Sequence, residues 1–217
     1  MKNLVVLGGS GIGMIAISIA KELGIYTIGG FLNDIIPVGE YIGKYEKYPV
    51  IGKTSDLPKF LEDPNNVFFI AYVGMQHEEE VYNKIKSLNI PSERFATLIH
   101  PTAIIPKGMC SIGNGVLMGP LTQLSPDTTL EDNVIMLSNS FLGHDSTLKQ
   151  FAHLATNSVV GANVTVGYAC HIGSNSTIRE KVNIGNFCLV GAGAVVLKDV
   201  PVNSIVVGNP AKVLRSK

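Results

Sequence analysis

The sequence predicts two parts of different class. An α/β domain with a parallel sheet occupies residues 1–99, and an all-β parallel β-helix occupies 100–217. Three observations carry this reading. Short apolar runs alternate with helical patterns as far as His100-Pro101. From Ile112 onward an aliphatic residue stands at every sixth position. Two places ahead of it, a second six-residue column holds only small or β-branched residues.

The first part is Rossmann-like, with strands alternating with helices, the pattern of a parallel sheet. The run "NLVVLG" predicts a strand, Gly8 to Gly13 a loop, and Met14 to Leu23 a helix. A secretory signal is the competing reading of this apolar start behind Lys2. The glycine cluster splits the stretch, and it runs into Lys21 and Glu22 with no clear cleavage site, so strand–loop–helix is preferred. "IYTIGGFLND" is the second strand and "NNVFFIAYVG" the third. Glu78 to Leu88 is an amphipathic helix, and "FATLIH" closes the domain as a strand. Residues 35–55 lack a period and are expected to leave the sheet.

In the second part, Ile112, Met118, Leu124, Leu130, Met136, Leu142, Leu148, Leu154, Val160, Val166, Ile172, Ile178, Ile184, Val190 and Val196 form the aliphatic column. The small column runs from Cys110 and Val116 through Ser140, Ser146, Ala152 and Ser158 to Cys188 and Ala194. Glycine often follows the aliphatic residue, as at Gly143, Gly161 and Gly173. Large and small inward residues with a turn between them fill a narrow prism whose stacked coils satisfy one another's backbones. All three cysteines, Cys110, Cys170 and Cys188, fall in the small column and read as core filler.

The repeat gives each histidine an address. His144 is second after Leu142, at a corner of the prism, with Asp145 beside it to orient or balance an imidazole. His153 and His171 each precede an aliphatic residue and point outward from a flat face. They are 18 residues apart, and a coil of three six-residue repeats, as the resemblance given below implies, would stack them about 4.8 Å apart. His77 belongs to the start of the helix in the first part, and His100 to the junction.

Composition narrows the function. Lys plus Arg (17) balances Asp plus Glu (17), which leaves no basic field for nucleic acid or an anionic membrane. No run is long and clean enough to span a bilayer. The three cysteines form no CxxC pair, and no metal site is expected. A soluble, cytoplasmic protein is the expectation.

The six-residue pattern over residues 101–212 resembles the hexapeptide repeat of left-handed β-helix acyltransferases, in which three hexapeptides make one coil. "GGSGIG", "FLND", "LIHPTA", "GHD", Ala152-His153 and the closing "GNPAK" extend the resemblance over nearly the whole chain. They are similar to the bacterial acetyltransferases of nucleotide-linked amino sugars, relatives of the sialic-acid O-acetyltransferases. The resemblance implies acetyl-CoA as donor, a nucleotide-linked amino sugar as acceptor, direct attack without a covalent enzyme intermediate, and a homotrimer. It implies that His144 is the general base, held by Asp145, and that His153 approaches the thioester. Ala162, one coil above His144, is implied to donate its backbone N–H to the thioester oxygen. Ser174 and Ala192 would line the pantetheine groove. Lys198 and Lys212 are candidates for the coenzyme A phosphates, or plain solvated lysines.

In the first part, Ser10, Gly11, Ile12 and Gly13 would offer backbone donors to a diphosphate at a helix start, or the glycines serve only close packing. The spacing misses GxGxxG because Met14 stands at the third glycine. Asp34 suits a ribose or base contact. The resembled family often has two acids there, where this chain has Asn33-Asp34. Three other readings stand beside N-acetylation. One is O-acetylation of a sialic-acid-type hydroxyl, and another a nucleotide-sugar-binding scaffold without catalysis. A β-helix metalloenzyme of the carbonic-anhydrase type is the third, and it lacks the close His-x4-His pair.

Overall fold

The computed structural model describes residues 1–72 and 77–217. The first domain opens with strand β1 (Lys2–Leu7), helix α1 (Ser10–Leu23) and strand β2 (Tyr26–Leu32). After β3 (Tyr41–Ile42) and β4 (Tyr48–Gly52) come the short helix α2 (Leu57–Leu61), strand β5 (Asn66–Ile70) and helix α3 (Glu78–Ser87). The sheet order is β3-β4-β2-β1-β5. β4, β2, β1 and β5 run parallel, and β3 turns back antiparallel against β4.

The two central strands bury Leu4, Val6, Phe31 and Leu32 completely. Helix α1 lies against them through Ala16, Ile17 and Ala20. Gly13 makes this approach possible, because a Cβ there would sit 2.6 Å from a ring carbon of Phe31.

Two expectations for this domain are corrected. Residues 35–55 do not leave the sheet, since β4 pairs in parallel with β2 through Phe31 and Val50. The register shift between Phe31 and Leu32 breaks the strand period that sequence reading relies on. "FATLIH" closes the first sheet only at its start, where Phe95 makes one parallel bridge with Phe68 of β5. Its strand β6 (Leu98–Ile99) pairs instead with Leu117–Met118.

That second domain is a three-faced parallel β-helix. Its first face stacks β6, Leu117–Met118, Ile135–Met136, His153–Leu154, His171–Ile172, Leu189–Val190 and Ser204–Val207, and Lys212–Ser216 ends it antiparallel. The second face holds Gln123–Leu124, Phe141–Leu142, Val159–Val160, Thr177–Ile178 and Val195–Val196. The third holds Cys110–Ile112, Thr128–Leu130, Thr147–Leu148, Thr165–Val166 and Asn183–Ile184. From Cys110 to Val196 each strand residue pairs with the one 18 positions on, as His153 does with His171, while β6 steps by 19 and the last coil by 16.

The interior is the two columns read from sequence. Met118 through Val196 are buried, and Ile112 packs against them at the open end. Inward hydroxyls bond to the turn carbonyls, for example Ser158 to Ala155 (2.7 Å) and Ser176 to Gly173 (2.7 Å). Cys170 and Cys188 are fully buried among the same residues. Every sixth residue from Gly115 to Gly193 has positive φ, which turns the chain at each corner. Asn and Asp tolerate this left-handed conformation best among residues with a Cβ, and Asn133, Asn139, Asp145, Asn157, Asn163 and Asn175 stand there.

The first domain covers the first face. Leu117 and Ile135 join one apolar cluster with Ile17 and Ala20. The His100 Nε2 lies 2.7 Å from the Glu22 carboxylate of α1. On α3, Tyr82 is held among Phe151 (5.5 Å between ring centroids), Phe187 (5.7 Å) and Tyr168 (6.0 Å) from successive coils. Glu78 of α3 also pairs with Lys217.

Candidate active site

The corner between the second and third faces carries the His-Asp pair. Leu142 is fully buried and anchors the turn, which projects His144 into solvent. Asp145 occupies the left-handed position, φ 58°, and this swings its carboxylate back to His144. His144 Nδ1 lies 2.7 Å from Asp145 Oδ2. A carboxylate accepting from Nδ1–H leaves Nε2 as the basic nitrogen, facing outward.

Stacked on this corner, at 18-residue steps, come Ala162, Glu180 and Lys198. Gly143 brings the coils together, since a Cβ there would stand 2.6 Å from the Ala162 nitrogen. The Ala162 N–H donates to no acceptor among the described residues. On the corner between the third and first faces, three of the five equivalent turn positions are treated differently. There the N–H groups of Asn114, Gln150 and Tyr168 are capped by Asp132 (2.8 Å), Glu131 (3.1 Å) and Asn186 (3.1 Å). An uncapped N–H beside an uncommitted imidazole is what a developing oxyanion and a departing proton require.

Of the remaining β-helix candidates, Lys198 alone shares this corner. Ser174 and Ala192 stack on the corner between the first and second faces, also with N–H groups free of acceptors among the described residues. Exposed Lys198 is on the His144 edge, three coils or about 14 Å away along the axis. Lys212 opens the antiparallel strand that ends the first face.

His153 is outward from the prism, as expected, but it is not open to solvent. Helix α3 covers it, leaving it 6% exposed. It lines a cavity of about 40 Å³ with Glu78, Val81, Tyr82, Ile85 and His171. Its ring stands edge-on to His171, with centroids 4.6 Å apart. Both its ring nitrogens lack a partner among the described residues, and burial, helped by His171, pushes its pKa down to about 3. It is therefore a neutral group of the domain interface, on the first face and away from the corner that carries His144. The column count gave its direction but not the helix packed over it.

A second concave region lies at the carboxyl ends of β1, β2 and β5. This cleft of about 540 Å³ is lined by Gly8, Gly9, Gly11, Ile12, Asn33, Asp34, Ile35, Tyr72 and Lys84. Helix α1 starts at Ser10 after Gly9 with no side-chain cap, and the N–H groups of Gly11 and Ile12, at the cleft, have no acceptor among the described residues. Gly11 and Ile12 line the cleft. Gly13 does not, because it is the packing glycine under α1. Gly8 has φ 106° and lies beneath the Tyr72 ring.

Asn33 is committed to structure. Its amide donates to the Gly8 carbonyl (2.8 Å) and accepts from the N–H groups of Ile35 and Ile36. A carboxylate could not make the first of these bonds, which accounts for Asn in place of a second acid. Asp34 accepts from the Thr54 N–H (2.8 Å) and faces Lys84 (3.3 Å). Burial alone would raise its pKa, but Thr54 and Lys84 outweigh that and hold the carboxyl below the usual range. Lys84, Thr54 and Tyr72 were not singled out in the sequence; each meets Asp34 or its support only across 18–50 residues. Among the described residues, no three His, Cys, Asp or Glu side chains are arranged to hold a metal ion.

Residues 3–85 match the family model of the PglD N-terminal domain. A perosamine N-acetyltransferase variant from Caulobacter crescentus, in complex with CoA and GDP-perosamine, has a TM-score of 0.85 at 24% identity, over 100% of this chain and 98% of that one. The fold is that of the hexapeptide-repeat sugar acetyltransferases. It includes the left-handed β-helix that the repeat implied. The acetyltransferase domain of PglB from Neisseria gonorrhoeae FA1090, in complex with acetyl coenzyme A, has a TM-score of 0.80 at 28% identity, over 98% and 99% of the two chains. No curated protein matches the sequence significantly.

Proposed function

We propose that this protein transfers acetyl from acetyl-CoA to an amino group of a nucleotide-linked amino sugar, with His144 as general base. The observation that carries the reading is the exposed His144–Asp145 pair, 2.7 Å apart, one coil below the uncapped N–H of Ala162. In support, the PglB domain of similar fold is in complex with acetyl coenzyme A, and the perosamine N-acetyltransferase is in complex with CoA and a nucleotide-linked amino sugar.

The acceptor nitrogen attacks the thioester carbonyl and forms the C–N bond. The adduct nitrogen is then positively charged, and it must lose a proton to His144 Nε2 before the C–S bond breaks, or it reverts. Asp145 keeps Nδ1 protonated and balances the imidazolium. The Ala162 N–H receives the oxyanion. The thiolate of coenzyme A leaves, and the proton returns to solvent from His144. Nothing in this route uses a metal or a nicotinamide. Ser10 to Ile12 and Asp34 hold the nucleotide end of the acceptor.

The active assembly in this reading is a homotrimer. The His144 edge and the Ser174–Ala192 edge lie on different corners of one prism, so one groove has both only where two prisms meet. The outward residues of the second and third faces suit such contact. Gln123, Phe141, Val159, Thr177, Val195, Ser111, Thr129, Thr147, Thr165 and Asn183 include no charge. Lys198 and Lys212, at the far end of the prism, are then placed for the coenzyme A phosphates.

The test is incubation with acetyl-CoA and a panel of GDP-, UDP- and dTDP-linked amino sugars, read by mass spectrometry. Gain of one acetyl group on an amino sugar, absent from the matching hydroxy sugar, is expected. Acetylation of hydroxyl acceptors alone would move the reading to O-acetylation. No transfer, with nucleotide-sugar binding intact, would leave a binding protein.

A further inference from the structure

Within the cleft of the first domain, Lys84 is the one cation among the described lining residues. It comes from α3, the helix that also clasps the β-helix, and reaches across to Asp34. The two oxygens of Asp34 are held unequally. Oδ1 accepts from the backbone of Thr54, whose hydroxyl is in turn fixed to the Tyr72 hydroxyl at 2.6 Å. Among the described residues Oδ2 has only the Lys84 ammonium, 3.3 Å away, on a side chain about half exposed. The same ammonium lies 5.1 Å over the Tyr72 ring. An exposed Lys–Asp pair of this kind is weak and readily exchanged.

We propose that Lys84 is an exchangeable counter-ion that couples the two ends of the nucleotide site. With the cleft free, it neutralises Asp34. When the nucleoside diphosphate end of the acceptor enters, the ammonium moves to the diphosphate at the start of α1. Asp34 Oδ2 is thereby released to accept from a ribose hydroxyl or a ring N–H of the base. Tyr72 gives the ammonium an aromatic face along this path. The backbone donors of α1 carry partial charge only, so Lys84 supplies the full positive charge that a diphosphate needs beside an ionised Asp34. This inference rests on the nucleotide-linked acceptor proposed above.

Calorimetric titration of the whole protein with GDP, UDP and dTDP, and with guanosine, uridine and thymidine, tests it. Lys84→Met should weaken the diphosphate that wild type binds best by about 10- to 100-fold, the worth of a hydrogen bond to a charged group. Its nucleoside should change by no more than about fivefold, the worth of an exposed ion pair. Lys84→Arg should restore most of the diphosphate affinity, and thermal melting should show Lys84→Met folded. Equal weakening of nucleoside and diphosphate, or no weakening of either, would overturn the proposal. If wild type binds none of the three diphosphates, the nucleotide reading itself fails, an outcome distinct from an insensitive Lys84→Met.

Discussion

Acid should destabilise this protein through His153 in an amount that follows from its burial. Its folded pKa is about 3, against an ordinary 6.5. The folded state therefore refuses a proton that the unfolded chain accepts. Stability from this group is complete above about pH 6.5 and is lost progressively as the pH falls toward 3. Between pH 7.5 and 5.0 the loss is about 2 kcal/mol, at 1.36 kcal/mol per pH unit below 6.5. For a chain of this length that lowers Tm by about 4–8 °C. His171 adds to the trend, since burial lowers its pKa as well. Replacing His153 by Phe or Gln removes the titrating group while leaving the interface filled. Urea unfolding at the two pH values should then show both variants losing about 2 kcal/mol less than wild type. Parallel pH dependences in wild type and both variants would refute the reasoning, as would an NMR titration of His153 in the ordinary histidine range.

Other outcomes follow from particular contacts. Asp145→Asn keeps a residue suited to φ 58° but loses the charge on Nδ1, so kcat should fall about tenfold, less than for loss of the base itself. Gly143→Ala places a Cβ 2.6 Å from the Ala162 nitrogen, which should destabilise by about 1–3 kcal/mol in chemical denaturation and lower turnover by shifting the donor. Tyr82→Ala empties the space among Phe151, Tyr168 and Phe187, and denaturant unfolding should show a loss of about 3 kcal/mol. Light scattering at assay concentration should give about 70 kDa, three chains of 23.2 kDa, and a fully active monomer would contradict the shared groove.

The β-helix was legible because its constraint is periodic. A narrow prism admits one large and one small inward residue per turn, so composition alone writes the columns that the core contains. His144 and Asp145 were legible for the same reason, as a count from Leu142 fixes their corner. β6 escaped that count because Leu98 pairs with Leu117, 19 residues on, where the coils between Cys110 and Val196 step by 18. β4 was missed because its pairing with β2 is set by an irregular register and not by alternation. The cover over His153 comes from α3, far away in sequence, and no local pattern reports which face of a prism another domain will occupy. Lys84 read as one more charge on a helix, and its partner stands 50 residues earlier.

The central claim is that His144 removes the proton from the attacking nitrogen. The most direct measurement compares kcat and acetyl-CoA affinity of His144→Ala with wild type. The corner position removes no core volume, so the variant should melt like wild type. Turnover should fall by about 10²- to 10⁴-fold while the Kd for acetyl-CoA is unchanged. Near-wild-type turnover from the folded variant would make His144 a surface turn residue and contradict the mechanism.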